Sequence, residues 1–90
     1  MTVRIVFMGT PQFAVTILES LLQRSYQVFA VYTQPDKPAG RGRPVVFPPV
    51  KKLALDRQIP VIQPETFKSS EVMEKLASFQ PELIIVTAFG

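Results

Sequence analysis

The sequence predicts an α/β fold in which an open, parallel sheet is doubly wound with helices. Three observations carry this. Short apolar runs rich in β-branched residues recur along the chain. Amphipathic stripes of helical spacing lie between them. The first run, the first stripe and the second run fit into about thirty residues, the size of a βαβ unit with parallel strands and a right-handed crossover.

The elements follow in order. Val3-Arg4-Ile5-Val6-Phe7-Met8, closed by Gly9, reads as a buried strand. Residues 11–24 carry Phe13, Ala14, Ile17, Leu18, Leu21 and Leu22 on one helical stripe. Thr10 is a candidate cap, and Pro11 suits the first helical position, where its missing N–H is not needed. Residues 27–33 form a second buried strand around Val28-Phe29-Ala30-Val31-Tyr32. Residues 34–49 hold five prolines (Pro35, Pro38, Pro44, Pro48, Pro49) with Gly40 and Gly42, and predict a long exposed loop. Helical spacing resumes over 50–57 with Val50, Leu53 and Ala54. Ile59-Pro60-Val61-Ile62 is a brief strand, shortened by Pro60. Residues 69–79 form a third helix with Ser69 or Ser70 as cap, Glu71 in the first turn, and a stripe of Val72, Met73, Leu76 and Phe79. Residues 82–87 form a last buried strand. The βαβαβαβ order is Rossmann-like. A chain that stops directly after such a strand predicts a piece of a larger domain.

Composition narrows the chemistry. At 90 residues and 47% hydrophobic, the chain fits one small globular unit of modest core. It has no cysteine, which excludes disulfides and thiolate metal sites, and no histidine, the usual base near neutral pH. No metal-ligand cluster is visible, and the serines have no histidine partner for a triad. Val3 to Met8 is too short for a signal-peptide core, and no stretch approaches the roughly 20 apolar residues of a membrane span. Solubility and a reducing compartment are the expected setting. Net charge is +3, and Lys37, Arg41, Arg43, Lys51 and Lys52 cluster in one stretch opposed only by Asp36. Such an excess fits either an anionic partner, nucleic acid among them, or a solvated surface loop.

In sheets of this kind, ligands bind beyond the carboxyl ends of the strands, where strand order reverses. Gly9-Thr10-Pro11, the segment from Gln34, and Ala88-Phe89-Gly90 leave such ends and are expected to meet at one crevice. Gly9 permits a tight turn, and the helix start beyond it can receive an anion or be a plain connection. Pro11 and Ala14 stand where a dinucleotide fingerprint needs glycine, so no nicotinamide or flavin cofactor is expected. Phe13 fits the helix's core stripe first and the wall of an apolar pocket second. Lys37, Arg41 and Arg43 can contact phosphates, with Gly40 and Gly42 letting the backbone follow a groove.

Arg4-Ile5-Val6-Phe7-Met8-Gly9-Thr10-Pro11-Gln12-Phe13-Ala14 resembles the opening of the methionyl-tRNA formyltransferases. Thr33-Gln34-Pro35-Asp36-Lys37-Pro38-Ala39-Gly40-Arg41-Gly42-Arg43 resembles their inserted loop, the most specific part of the likeness. Pro49-Val50-Lys51, Ile59-Pro60-Val61, Gln63-Pro64-Glu65 and Pro81-Glu82-Leu83-Ile84-Ile85-Val86-Thr87-Ala88-Phe89-Gly90 continue it, so the resemblance covers essentially the whole chain. It implies the N-terminal part of a folate-dependent formyltransferase domain, with residues 34–49 as the basic insert. The implied reaction passes a formyl group from 10-formyltetrahydrofolate to the amino group of methionyl initiator tRNA, in the cytoplasm, by a protein monomeric at full length. By resemblance, Arg41, Arg43 and Lys37 contact tRNA; Phe13, Gly9 and Thr10 border the methionyl end; Ala88, Phe89 and Gly90 border the folate. The family's catalytic Asn, His and Asp match no residue here, so these ninety residues alone are expected to be inactive. Two departures stand out: Arg43-Pro44 replaces a frequent lysine pair, and Pro48 replaces a frequent serine. The alternatives are a sugar-nucleotide or purine-pathway formyltransferase, which the basic insert disfavours, and a non-catalytic nucleic-acid-binding module, which the missing histidine would suit.

Overall fold

The computed structural model describes residues 3–38, 45–87 and 89. Four parallel strands form the main sheet: β1 (Arg4–Met8), β2 (Gln27–Tyr32), β5 (Val61–Ile62) and β6 (Leu83–Val86), in the order β5-β2-β1-β6. The chain walks outward from β1 through β2 to β5, then crosses back to place β6 on the other side of β1. Strand order therefore reverses between β1 and β6, as the doubly wound expectation requires. Three helices connect the strands: α1 (Gln12–Gln23), α2 (Pro49–Asp56) and α3 (Ser70–Ser78).

The period-2 alternation of β1 sends its side chains into two different cores. Phe7 faces α1 and α2, where Ala14, Leu18, Val50, Ala54 and Ile59 pack with Val31. Val6 and Met8 face the other way with Ala30 and Tyr32, against Phe67, Leu76 and Phe79 from the α3 side. Phe7, Val6, Leu18, Val31 and Tyr32 are fully buried, so β1 and β2 form the core of both layers. The register between them slips after Ile5: Ile5 lies opposite Val28 but Val6 opposite Ala30, and Phe29 is skipped.

Helix ends explain the boundaries. Pro49 opens α2 at a position where no amide donor is needed, and Pro48 before it is extended (φ −55°, ψ 144°). Past α1, Ser25 (φ 64°) is left-handed, with Ser25 N–H donating to Leu22 O and Tyr26 N–H to Leu21 O. Past α2, Gln58 (φ 59°) is left-handed in the same way, with Gln58 N–H donating to Leu55 O and Ile59 N–H to Ala54 O. Both are Schellman closures made without glycine.

Four expectations are corrected. Pro11, not Thr10, is the N-cap of α1, and no side chain caps it, because the Thr10 hydroxyl is engaged elsewhere. Ser69 is the N-cap of α3, but neither Ser69 nor Ser70 supplies a side-chain cap bond. Residues 34–49 are not a plain loop: β3 (Lys37–Pro38) pairs antiparallel with β4 (Val45–Val46), Lys37 opposite Val46. Among the described residues β6 pairs with β1 alone and is not buried throughout: Leu83, Ile84 and Val86 are exposed while Ile85 packs on the core.

Candidate functional site

The turn after β1 is tightly held. Gly9 N–H donates to Tyr32 O (3.0 Å) and Thr87 N–H to Met8 O (2.9 Å), extending the sheet past the formal end of each strand. A Cβ on Gly9 would lie 2.8 Å from the Phe7 ring, 2.9 Å from Thr87 O and 3.0 Å from the Ala14 Cβ. Glycine is needed here for close approach of β1, β6 and the start of α1.

Thr10 then joins the three strand ends. Its hydroxyl donates to Phe89 O (3.1 Å), past β6, and accepts the backbone N–H of Gln34 (3.1 Å), past β2. The Gln34 side-chain amide donates to the same Phe89 carbonyl (3.0 Å). The segments leaving β1, β2 and β6 therefore meet at the point where strand order reverses. Beside this junction lies an apolar cavity of about 190 Å³, walled by Thr10, Gln34 and Pro35 on one side and by Val46, Phe47, Pro48 and Pro49 on the other.

A polar cluster lies at the root of the β3–β4 segment. Lys51 Nζ donates to Asp36 Oδ1 (3.1 Å), Asp36 Oδ2 (2.8 Å) and Gln63 Oε1 (2.9 Å), and stands 3.8 Å from the centre of the Phe47 ring. Gln63 Nε2 donates to Asp36 Oδ1 (2.6 Å) and to Gln34 O (3.1 Å). Lys51 comes from α2 and Gln63 follows β5, so the sheet's topology brings three distant segments together. The Gln63 amide and the Lys51 ammonium hold the Asp36 carboxyl below the usual carboxylate range. Its contribution to stability is thus present above that range and lost only as pH falls through the lowered value.

On the second face, Phe89 sets its ring edge-on to Phe67 (5.6 Å), which stacks on Tyr32 (5.9 Å). The Tyr32 hydroxyl is buried and has no hydrogen-bond partner among the described residues. Burial pushes its ionisation up, so the phenol stays neutral.

The sequence-derived candidates fall out unevenly. Thr10 lines the cavity, and Gly9 is buried beneath the turn. Phe13 is 60% exposed in the first turn of α1, so the reading that put it in the core stripe is corrected: the buried stripe narrows to Ala14 and Leu18. Lys51, counted among the basic residues facing an anionic partner, is turned inward onto Asp36. Phe89 is at the junction. Arg41, Arg43, Ala88 and Gly90 lie outside the described residues, as does the side chain of Lys37. Gln63 received no role from sequence reasoning, since nothing local marks a glutamine as the partner of residues far away in the chain. Among the described residues no three His, Cys, Asp or Glu side chains group as metal ligands, and no helix is long and apolar enough to cross a membrane.

Residues 3–90 match the family model described as formyl transferase. Over 87 residues, or 97% of this chain, the sequence is 55% identical to the methionyl-tRNA formyltransferase of Marinobacter nauticus, 54% to that of Trichlorobacter lovleyi and 56% to that of Xylella fastidiosa. The match covers 28% of each of these relatives.

Proposed function

The chain belongs to the formyl transferase family, and from that premise we propose that it is the amino-terminal part of a methionyl-tRNA formyltransferase. The observation that supports this best is the junction of Thr10, Gln34 and Phe89 at the reversal of strand order. It gives one crevice with an aromatic, apolar side toward Phe89 and a basic insert rooted at its rim.

In this reading the formyl donor is 10-formyltetrahydrofolate, a substrate and not a resident cofactor, and the acceptor is methionyl initiator tRNA. The new bond joins the formyl carbon to the methionyl nitrogen, the bond from that carbon to the folate nitrogen breaks, and a proton moves from the attacking amine to the leaving nitrogen. Lys37, Arg41 and Arg43 bind tRNA phosphates. Phe13, exposed at the start of α1, borders the methionyl end with Gly9 and Thr10. Ala88, Phe89 and Gly90 border the folate. The proton-moving groups are supplied from outside these residues. The chain has no histidine, and the charged pair described at the crevice is Asp36 with Lys51, each committed to the other. A carboxylate held below its usual range is a weak base for an amine. The protein works in the cytoplasm, as a monomer and off the membrane.

The test uses the complete protein that carries this chain. Formylation of methionyl-tRNA is followed as salt is varied. Arg41→Ala is expected to raise the tRNA KM and to reduce the log–log salt slope by roughly 0.9, the share of one phosphate contact. An unchanged slope removes Arg41 from the phosphate-binding set.

A further inference from the structure

We propose that Asp36, Lys51 and Gln63 form a positioning cluster that fixes the direction in which the basic insert leaves the sheet, with Lys51 acting as its internal counter-ion and not as a contact to tRNA. The inference rests on the tRNA reading above and assigns these three residues a task within it.

The geometry carries it. Within the insert, Asp36 directly precedes its outgoing strand β3 and Phe47 directly follows its returning strand β4. Lys51 touches both roots: its ammonium donates to both Asp36 oxygens (3.1 and 2.8 Å) and lies 3.8 Å from the Phe47 ring centre. Its remaining donor goes to Gln63 Oε1 (2.9 Å). An ammonium has three N–H donors. Its acceptors Asp36 and Gln63 both lie inside the protein, and the side chain is only 13% exposed. A phosphate would have to displace Asp36 to reach it. Gln63 braces the cluster against the sheet by donating to Asp36 Oδ1 (2.6 Å) and to Gln34 O (3.1 Å). Gln34 in turn is bonded to Thr10 and Phe89. The root of the insert is thus tied by consecutive hydrogen bonds to the crevice.

A charge-only account and a positioning account differ in sign. Asp36→Asn raises the net charge by one, so a surface acting by charge alone would bind tRNA more tightly. If the cluster positions the insert, the same change weakens binding, because the ammonium loses its charged partner and the root loosens. In the complete protein we expect Asp36→Asn to raise the methionyl-tRNA KM by roughly tenfold with little change in kcat or in the KM for the formyl donor. Gln63→Leu, which alters no charge, is expected to move the tRNA KM the same way. Amide hydrogen exchange at Val46, opposite Lys37 in the β3–β4 pair, is expected to speed up in both variants while exchange at Phe7 and Val31 in the central strands stays as in wild type. A lower or unchanged tRNA KM in Asp36→Asn overturns the proposal, as does unchanged exchange at Val46 in both variants. Failure of the wild-type protein to formylate methionyl-tRNA overturns the functional reading, and the exchange experiment then decides the cluster on its own.

Discussion

The two ends of the sheet each place one half-buried cation among polar partners, and the partners differ. At the amino ends of the strands Arg4 closes α3. A Schellman closure there would need an N–H from the residue after Gln80, but that residue is Pro81, which has none. Arg4 instead ties down the carbonyls just past the helix: Nη2 donates to Phe79 O (2.8 Å) and Nε is shared between Phe79 O (3.2 Å) and Gln80 O (3.1 Å). Its guanidinium also lies 4.1 Å from the centre of the Phe29 ring, the residue skipped in the β1–β2 register. At the carboxyl ends, Lys51 bonds a carboxylate and an amide that belong to different segments, and no helix carbonyl. A cation on carbonyls of one helix end finishes that helix. A cation shared between segments sets how those segments lie relative to one another. The first fastens the end of α3 to β1 and β2, away from the crevice; the second joins segments at the crevice.

The strongest way to break this division is at Gly9, where the two demands coincide. Gly9→Ala places a methyl under 3.0 Å from both the Phe7 ring and Thr87 O. The ring is buried and the carbonyl belongs to the backbone beyond β6, so neither yields easily. We expect a loss of about 3 kcal/mol, read as a fall in Tm of roughly 10 °C or more for a chain of this size. A Tm within about 2 °C of wild type would mean the turn has room that the packing denies.

Arg4→Met tests the amino end by itself. The alkyl stem is kept, and the bonds to the end of α3 and the contact with Phe29 are lost. Charged hydrogen bonds of this kind contribute about 1–2 kcal/mol when partly exposed. The melt should shift accordingly, while the tRNA KM of the complete protein stays at its wild-type value. A raised KM would show that the two ends are coupled through β1.

How much of this was legible in the sequence differs between the ends and the middle. The strands and helices could be read because apolar periodicity is local: Val6 and Phe7 alternate between two cores, and Ala14 and Leu18 mark one helical face. The stripe does not show its own width, so its pattern places Phe13 in the core while the side chain stands exposed. The β3–β4 pair was hidden because two-residue strands have no alternation to read, and Pro38 argues against one. The meeting of three strand ends followed from fold class. The polar cluster did not, since residues 34, 36, 51 and 63 become neighbours only through the crossover that puts β5 beside β2. Thr10 fits a cap from its sequence position, since a threonine before a helix is a favoured one. Its hydroxyl instead serves a carbonyl and an amide from other strands, a choice made by tertiary contacts.

The smallest expected effect has the opposite sign and sharpens the boundary of the carboxyl end. Tyr32 closes β2, two residues before Gln34 of the polar junction, with its ring stacked on Phe67 and its hydroxyl buried without a partner among the described residues. An unsatisfied buried hydroxyl costs about 1–3 kcal/mol, and Tyr32→Phe removes it while leaving the ring in place. Loss of a little packing volume offsets part of the gain, so thermal melts should show a stabilisation of about 1 kcal/mol. Burial holds the phenol neutral, so the gain should be the same at pH 6 and at pH 8. A loss of stability would mean that the hydroxyl is bonded in solution, through a buried water. The polar junction would then continue through the sheet to the Phe67–Phe89 face, and the carboxyl end would be polar on both sides of β2.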